Sequence, residues 1–189
     1  MNKAELRKKY KALRLEISQE KIEELSLEIA NQLLLLPIWE EEFYHLFLSI
    51  AKQKEVDTSN ILHILQGKDK NVVLSKTNIK KHKLEHFLLT DNSKIRINRW
   101  NIPEPEGGIQ ISPQQIDVVF VPLLAFDVQG HRIGYGKGFY DNFLSECNSK
   151  VIKIGLSFFD AEPAFKEVFS SDIPLDYCIT PDKIYSFKN

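Results

Sequence analysis

Three of the chain's eight glycines stand at 134, 136 and 138, inside the run Phe126-Asp127-Val128-Gln129-Gly130-His131-Arg132-Ile133-Gly134-Tyr135-Gly136-Lys137-Gly138-Phe139-Tyr140-Asp141. Alternating glycines remove Cβ atoms and open positive φ, so successive backbone N–H groups can turn toward one anion. The run follows a strand-like stretch and enters a helix-like one, whose first turn adds unpaired N–H groups of its own. Lys137 and Arg132 bring positive charge to the same turn, and Asp141, in the first helical turn, is placed to hold Mg²⁺ against bound phosphates. The chemistry that suits such a loop is phosphate binding, with Lys137 and Arg132 as the candidate catalytic charges. It is not a Walker A loop, since no Gly-Lys is followed by Ser or Thr, and its spacing is not the dinucleotide G-x-G-x-x-G. A glycine-rich surface turn with ordinary charges is the plainer alternative that the residues leave open. Of Phe139 and Tyr140, one is expected in the core and the other free to stack on a ring.

A second set of charges lies at the start of the chain. Leu6, Tyr10, Leu13 and Ile17 repeat at helical spacing, and Lys3, Arg7, Lys11 and Arg14 fall within about 80° of one another beside that stripe. They could bind phosphate, or they could simply snorkel into water. Trp100, in Arg99-Trp100-Asn101-Ile102-Pro103-Glu104-Pro105, is either a plug on the core, which the residue type alone favours, or a stacking platform. The five histidines are scattered, with no spacing that suggests a structural zinc site.

These residues need elements to position them. The first stripe predicts a helix over 3–17, and Ser18 can cap a second over 20–36, stopped by Pro37. Strand-like runs follow at 43–49, 71–75, 117–123, 151–157 and 177–180, with helices predicted over 58–66, capped by Asp57 or Thr58, and over 139–147. Strands apolar on both faces and separated by helices imply a three-layer α/β fold: a largely parallel sheet with helices on both faces, preceded by the two N-terminal helices. Residues 78 to 100 show no firm pattern. A length of 189 residues, with no Gly/Ser linker and no repeat, fits one domain over 1–189.

Composition narrows the function classes. Apolar residues at 43% and charged residues at 27% describe a globular chain, and a net charge of −1 offers no global field to recruit nucleic acid or an anionic membrane. No apolar run is long enough to span a bilayer, and the basic N-terminus lacks the apolar stretch of a signal peptide. Cys147 and Cys178 read as free thiols of a reducing compartment, so the expected location is the cytoplasm. A sugar-phosphate isomerase, a CoA-transferase or an RNA-binding module could share such a layout, but no carbonyl-adjacent base, thioester-forming carboxylate or interleaved exposed aromatics stand out.

Gly130-x-Arg132-x-Gly134-x-Gly136-Lys137-Gly138-x-Tyr140-Asp141, with Lys3, Leu6-Arg7, Glu55-Val56-Asp57-Thr58 and Trp100-Asn101-Ile102-Pro103-Glu104-Pro105 in order, resembles the 5-formyltetrahydrofolate cyclo-ligase family. The resemblance runs over nearly the whole chain, weakest over 59–98. It implies an ATP-dependent, Mg²⁺-requiring closure of 5-formyltetrahydrofolate, polyglutamylated or not, to 5,10-methenyltetrahydrofolate by a monomer or weak homo-oligomer. It implies an ATP site of Lys3, Arg7 and Arg132, Ile133, Gly134, Tyr135, Gly136, Lys137, Gly138, Phe139 and Tyr140. Folate contacts would come from Leu48, Glu55, Trp100, Tyr135, Gly136, Lys137, Gly138 and Phe139, and Mg²⁺ carboxylates from Asp141 and Asp172. The family usually has tyrosine where this chain has Phe139, which removes a hydroxyl and keeps a ring.

Overall fold

The computed structural model describes residues 1–188. Helix α1 (Lys3–Glu16) opens on a capping box, with the Asn2 side chain accepting from the Glu5 N–H and the Glu5 carboxylate from the Asn2 N–H. Helix α2 (Gln19–Leu33) starts at Ser18, whose hydroxyl accepts from the Lys21 N–H. It stops three residues before the expected end: the N–H groups of Leu34, Leu35 and Leu36 bond three residues back, a tightened last turn that still buries Leu36.

The chain then lays down β1 (Phe43–His45), helix α3 (Ser59–Gly67), β2 (Asn71–Asn78), β3 (Lys83–Leu88), β4 (Ile95–Ile97), β5 (Pro103–Pro105), β6 (Val118–Pro122), β7 (Ala125–Phe126) and β8 (Arg132–Ile133). Helix α4 (Phe139–Glu146), β9 (Ile152–Leu156), β10 (Tyr177–Ile179) and β11 (Ile184–Ser186) complete it. Seven strands form one sheet in the order β11-β10-β9-β6-β1-β2-β3, parallel from β10 to β2 and closed at each edge by an antiparallel strand.

The sheet is buried on both faces, as its apolar strands require. Val72, Leu74, Val118, Phe120, Ile154 and Leu156 point toward α2 and α3. Their neighbours Val73, Val119, Val121 and Cys178 point the other way, onto Phe143 and Leu144 of α4. Helix α1 stands apart from both layers and packs Leu6 and Tyr10 on Leu124, Ala125 and Ile133 of the β7–β8 hairpin. That contact carries the N-terminal cations to the glycine loop. After β1 the chain turns to β2 on one side and later returns to β6 on the other, so the strand order reverses beside β1, where open α/β sheets leave a crevice at the carboxyl ends of their strands.

One strand reading is corrected, and of the two caps expected for α3 the structure uses Asp57. The strand expected over 43–49 is paired only over Phe43–His45, because the chain beyond it leaves the sheet and forms a cavity wall. Thr58 precedes α3, yet its hydroxyl donates to the Phe47 carbonyl, and the Asp57 carboxylate accepts from the Ser59 N–H in its place. No helix among the described residues is long and apolar enough to cross a membrane.

Candidate active site

A cavity of about 800 Å³ opens at the strand ends around β1. Its walls come from α1 (Lys3, Arg7, Lys11), the segment after β1 (Phe47 to Glu55), the end of β2, the Trp100 to Pro103 loop, the glycine loop and Asp172. The sequence-derived candidates converge on it, from Lys3, Arg7, Leu48, Glu55 and Trp100 to Arg132, Gly134 through Asp141, and Asp172. Ile133 is the exception. Its side chain is buried against Leu6 and Tyr10, and its carbonyl accepts from the Leu124 N–H, so it anchors the loop and lines nothing.

Two glycines have backbone reasons. Gly136 and Gly138 hold φ of +90° and +69°, and a Cβ at Gly136 would stand 3.2 Å from the Arg7 guanidinium carbon. The amides of Gly134 to Gly138 donate to no group of the chain among the described residues. Asp127, fully buried, braces the turn before the loop: its carboxylate accepts from the N–H groups of Gln129, His131 and Phe165.

Lys3, Arg7 and Lys11 of the N-terminal strip line the cavity. Arg7 Nε donates to the Gly134 carbonyl at 3.0 Å, Lys11 Nζ lies 5.6 Å from the Tyr135 ring centroid, and Lys3 Nζ bonds Asp172 at 2.5 Å. Arg132, with a side chain only 6% exposed, donates to Asp141 at 2.7 Å and to the Ile173 carbonyl. Burial lowers the Arg132 pKa, and the Asp141 charge works against that shift. Burial works against the Asp172 charge, but the hydrogen bonds from Lys3 and the Phe169 N–H hold its carboxyl below the usual range. Two cations are thus matched by two carboxylates, whereas Arg7, Lys11 and Lys137 have no carboxylate partner among the described residues. Three unmatched cations beside unbonded amides give this half of the cavity the charge and donors that suit a multiply charged anion.

The acidic pair fits a hydrated hard cation. Asp141 engages Oδ1 with Arg132 and the Ile173 N–H, and Asp172 engages Oδ2 with Lys3 and the Phe169 N–H, so each keeps a second oxygen without a partner in the chain. The Asp141–Ile173 bond holds the neighbour of Asp172 against Asp141, which brings the two carboxylates to the same wall. Among the described residues no group of three or more His, Cys, Asp or Glu gathers, so a metal here would also need oxygens from a ligand.

The other half is apolar and aromatic. Trp100 belongs to no core cluster, is 43% exposed, and lies against the Arg99 guanidinium at 4.1 Å, which overturns its reading as a core plug. Phe139 stacks on His82 with centroids 4.6 Å apart, and Tyr140 packs inward on His45 and Phe143.

A profile of the 5-formyltetrahydrofolate cyclo-ligase family matches residues 1–176. The chain belongs to that family. It is 29% identical over 179 residues to the Schizosaccharomyces pombe protein named "Probable 5-formyltetrahydrofolate cyclo-ligase", covering 86% of this chain and 87% of the relative. The mouse 5-formyltetrahydrofolate cyclo-ligase is 31% identical over 138 residues, 69% of this chain and 66% of the relative. The Aquifex aeolicus 5,10-methenyltetrahydrofolate synthetase superposes with a TM-score of 0.84 at 29% identity, covering 100% of this chain and 94% of that one. The Mycoplasma pneumoniae synthetase, at 24% identity and a TM-score of 0.71 over 96% and 99% of the two chains, shows the shared fold.

This cyclo-ligase family member also carries a polar chain that residue spacing did not show. His45 Nε2 lies 2.7 Å from Ser75 Oγ, which lies 2.8 Å from His86 Nδ1, and β1, β2 and β3 supply one residue each. Strand pairing, not sequence proximity, brings the two histidines together. Burial pushes the His86 pKa down to about 4 and that of His45 well below its usual value. A depressed histidine contributes stability that is complete above its unfolded pKa, near 6.5, and is lost as pH falls toward the folded value, because only the unfolded chain takes up the proton. The melting temperature is therefore expected to fall between about pH 6.5 and pH 4, and the fall should be shallower in His86→Gln. Parallel wild-type and variant curves would assign the acid sensitivity elsewhere.

Proposed function

We propose that this chain closes 5-formyltetrahydrofolate to 5,10-methenyltetrahydrofolate and that ATP supplies the activation, with ADP and phosphate released. The single observation that carries the reading is the divided cavity: unmatched cations and unbonded amides on one wall, and an exposed indole with apolar partners on another.

The chemistry explains why both halves are needed. A formamide oxygen is a poor leaving group, so N10 cannot close the ring by expelling it unaided. Transfer of the γ-phosphoryl to the formyl oxygen turns that oxygen into part of a phosphate ester. N10 then forms a bond to the formyl carbon, the carbon–oxygen bond breaks, and phosphate departs with the oxygen while N10 gives up its proton. Phosphoryl transfer asks a protein mainly for positioning and charge stabilisation. The loop amides and Lys137 would hold the triphosphate, and Arg7 and Lys3 would close on it from α1. Arg132 would steady both Asp141 and the segment that carries Asp172. Mg²⁺ held by Asp141 and Asp172 would neutralise phosphate charge during the transfer. Leu48, Trp100 and Phe139 would face the folate, with Glu55 as its acceptor.

The direct test mixes purified protein with 5-formyltetrahydrofolate, ATP and Mg²⁺ and follows methenyltetrahydrofolate absorbance. Product that requires ATP is expected, and folded protein that forms none refutes the reading.

Trp100→Ala sharpens it. Stacking on a heterocycle is worth about 1–3 kcal/mol by alanine substitution at nucleic-acid sites, so the folate KM is expected to rise on the order of tenfold with ATP affinity and melting temperature little changed. Equal loss of both ligands, with a large melting shift, would mean that the indole supports the fold.

A further inference from the structure

Arg14 is the last member of the α1 cationic strip and the only one turned fully inward, with 3% of its surface exposed. A buried guanidinium is costly unless its hydrogens are matched. Arg14 Nη1 donates to the Tyr135 hydroxyl oxygen at 3.0 Å and Nη2 to the Leu123 carbonyl, while Nε is buried without a partner. The α1 stripe already has Leu6, Tyr10 and Leu13 for packing. What the arginine adds is direction.

An arginine only donates. The Tyr135 oxygen therefore accepts from Arg14, and its own hydrogen points to Glu55 Oε1, 2.7 Å away. Glu55 Oε2 accepts from the Ile50 N–H at 2.8 Å. Both carboxylate oxygens are thus acceptors within the chain, and among the described residues no acceptor stands ready for the O–H that a protonated carboxyl would add. Glu55 is 5% exposed and lines the cavity together with Tyr135.

We propose that Arg14 is a positioning residue that, acting through the Tyr135 hydroxyl, keeps Glu55 an ionised hydrogen-bond acceptor in the cavity. The consequence for folate rests on the function proposed above; the charge state of Glu55 does not.

Burial pushes the Glu55 pKa up, and the Ile50 N–H, the Tyr135 hydroxyl and the Arg14 charge oppose it. The titratable and charged groups that face Glu55 come from several elements. They are Tyr135 from the glycine loop, Tyr140 from α4, Arg14 and Lys11 from α1, and Lys54 beside it, whose ammonium is turned to the Leu15 and Ile17 carbonyls. Arg14 is the cation wired to the carboxylate by a single hydroxyl.

The test is a pH titration of the Glu55 side-chain ¹³C carboxyl signal in the full-length protein, assigned by its loss in Glu55→Gln. Arg14→Gln keeps a donor toward Tyr135 and removes the charge, so the midpoint is expected to rise by about one unit, a tenfold change in the ionised fraction on the rising limb. Arg14→Lys should restore most of it. Tyr135→Phe, which removes only the bridge, should also raise the midpoint and carries the test if Arg14→Gln does not fold. An unchanged or lowered midpoint in the folded variants overturns the proposal, because lost packing alone admits water and lowers the midpoint where lost charge raises it. Calorimetry on the same proteins separates the two readings. Weaker 5-formyltetrahydrofolate binding in Arg14→Gln at constant ATP affinity supports both. A wild-type protein that binds no 5-formyltetrahydrofolate refutes the proposed function, while the Glu55 midpoint still decides the role of Arg14.

Discussion

Lys137→Ala is expected to lower kcat/KM by about 10²–10³-fold, the scale for removing one preorganised donor from a transferring group. The melting temperature should move by no more than about 2 °C, since an exposed substitution away from caps and cores is usually worth within about 0.5 kcal/mol. Lys137 is exposed on the cavity side of the glycine loop and has no carboxylate partner among the described residues. Its charge does nothing for the fold that could be missed. Lys137→Arg keeps the charge but replaces a compact ammonium with a wider planar fork beside Gly136 and Gly138, so partial recovery is the expected result. Steady-state kinetics with ATP as the varied substrate separates the contributions. A loss confined to kcat places the charge at the transition state, a loss confined to KM places it in ground-state binding, and near-wild-type kcat/KM removes Lys137 from the phosphate wall.

How much of this was legible in the sequence depends on the range of the signal. The helices α1, α2 and α3 announce themselves through apolar spacing and through Ser18 and Pro37, and the strands β6 and β9 through short apolar runs, because each pattern is written in contiguous residues. The hairpin of β2 and β3 was not legible. Lys83–Leu88 mixes charge, histidine and apolar residues at an edge with a partly exposed face, and its turn relies on His82 at a φ of +51° where no glycine marks it. The ribbon of β4 and β5 is three residues long on each side and carries two prolines, so propensity argues against the pairing that tertiary contact with β2 supports.

The candidate site divides the same way. Gly134, Gly136 and Gly138 are a local statement about backbone geometry and could be read directly. The strip of Lys3, Arg7, Lys11 and Arg14 could be read as a strip, but whether it faced water or a cavity depended on α1 docking on β7 and β8, more than 100 residues later in the chain. Asp172 carried no local signal at all; only the family resemblance singled it out. His45, Ser75 and His86 stood unremarked, because three residues on three strands have no spacing to reveal them.

Arg132→Met is expected to damage stability as well as activity, and the combination separates the two roles. The side chain is 6% exposed and grips two elements at once, Asp141 at the start of α4 and the Ile173 carbonyl beside Asp172. Removing one partner of a buried ion pair costs about 3–5 kcal/mol, because the other charge is left uncompensated. The Asp141 side chain is 30% exposed, so water recovers part of that, and a loss near the lower end is expected. For a chain of this size a loss of about 3 kcal/mol corresponds to a fall in melting temperature of roughly 6–12 °C. Asp141→Asn, added to Arg132→Met, removes the stranded charge and should return much of the melting temperature. Activity should not return, because the double variant still lacks the guanidinium that fixes the Asp172 segment and now lacks one of the two carboxylates proposed for Mg²⁺. Two measurements on the three proteins decide the matter: thermal unfolding, and kcat/KM at saturating Mg²⁺. If activity rises with stability in the double variant, Arg132 serves activity only through the fold and the Asp141 carboxylate is not needed to hold Mg²⁺.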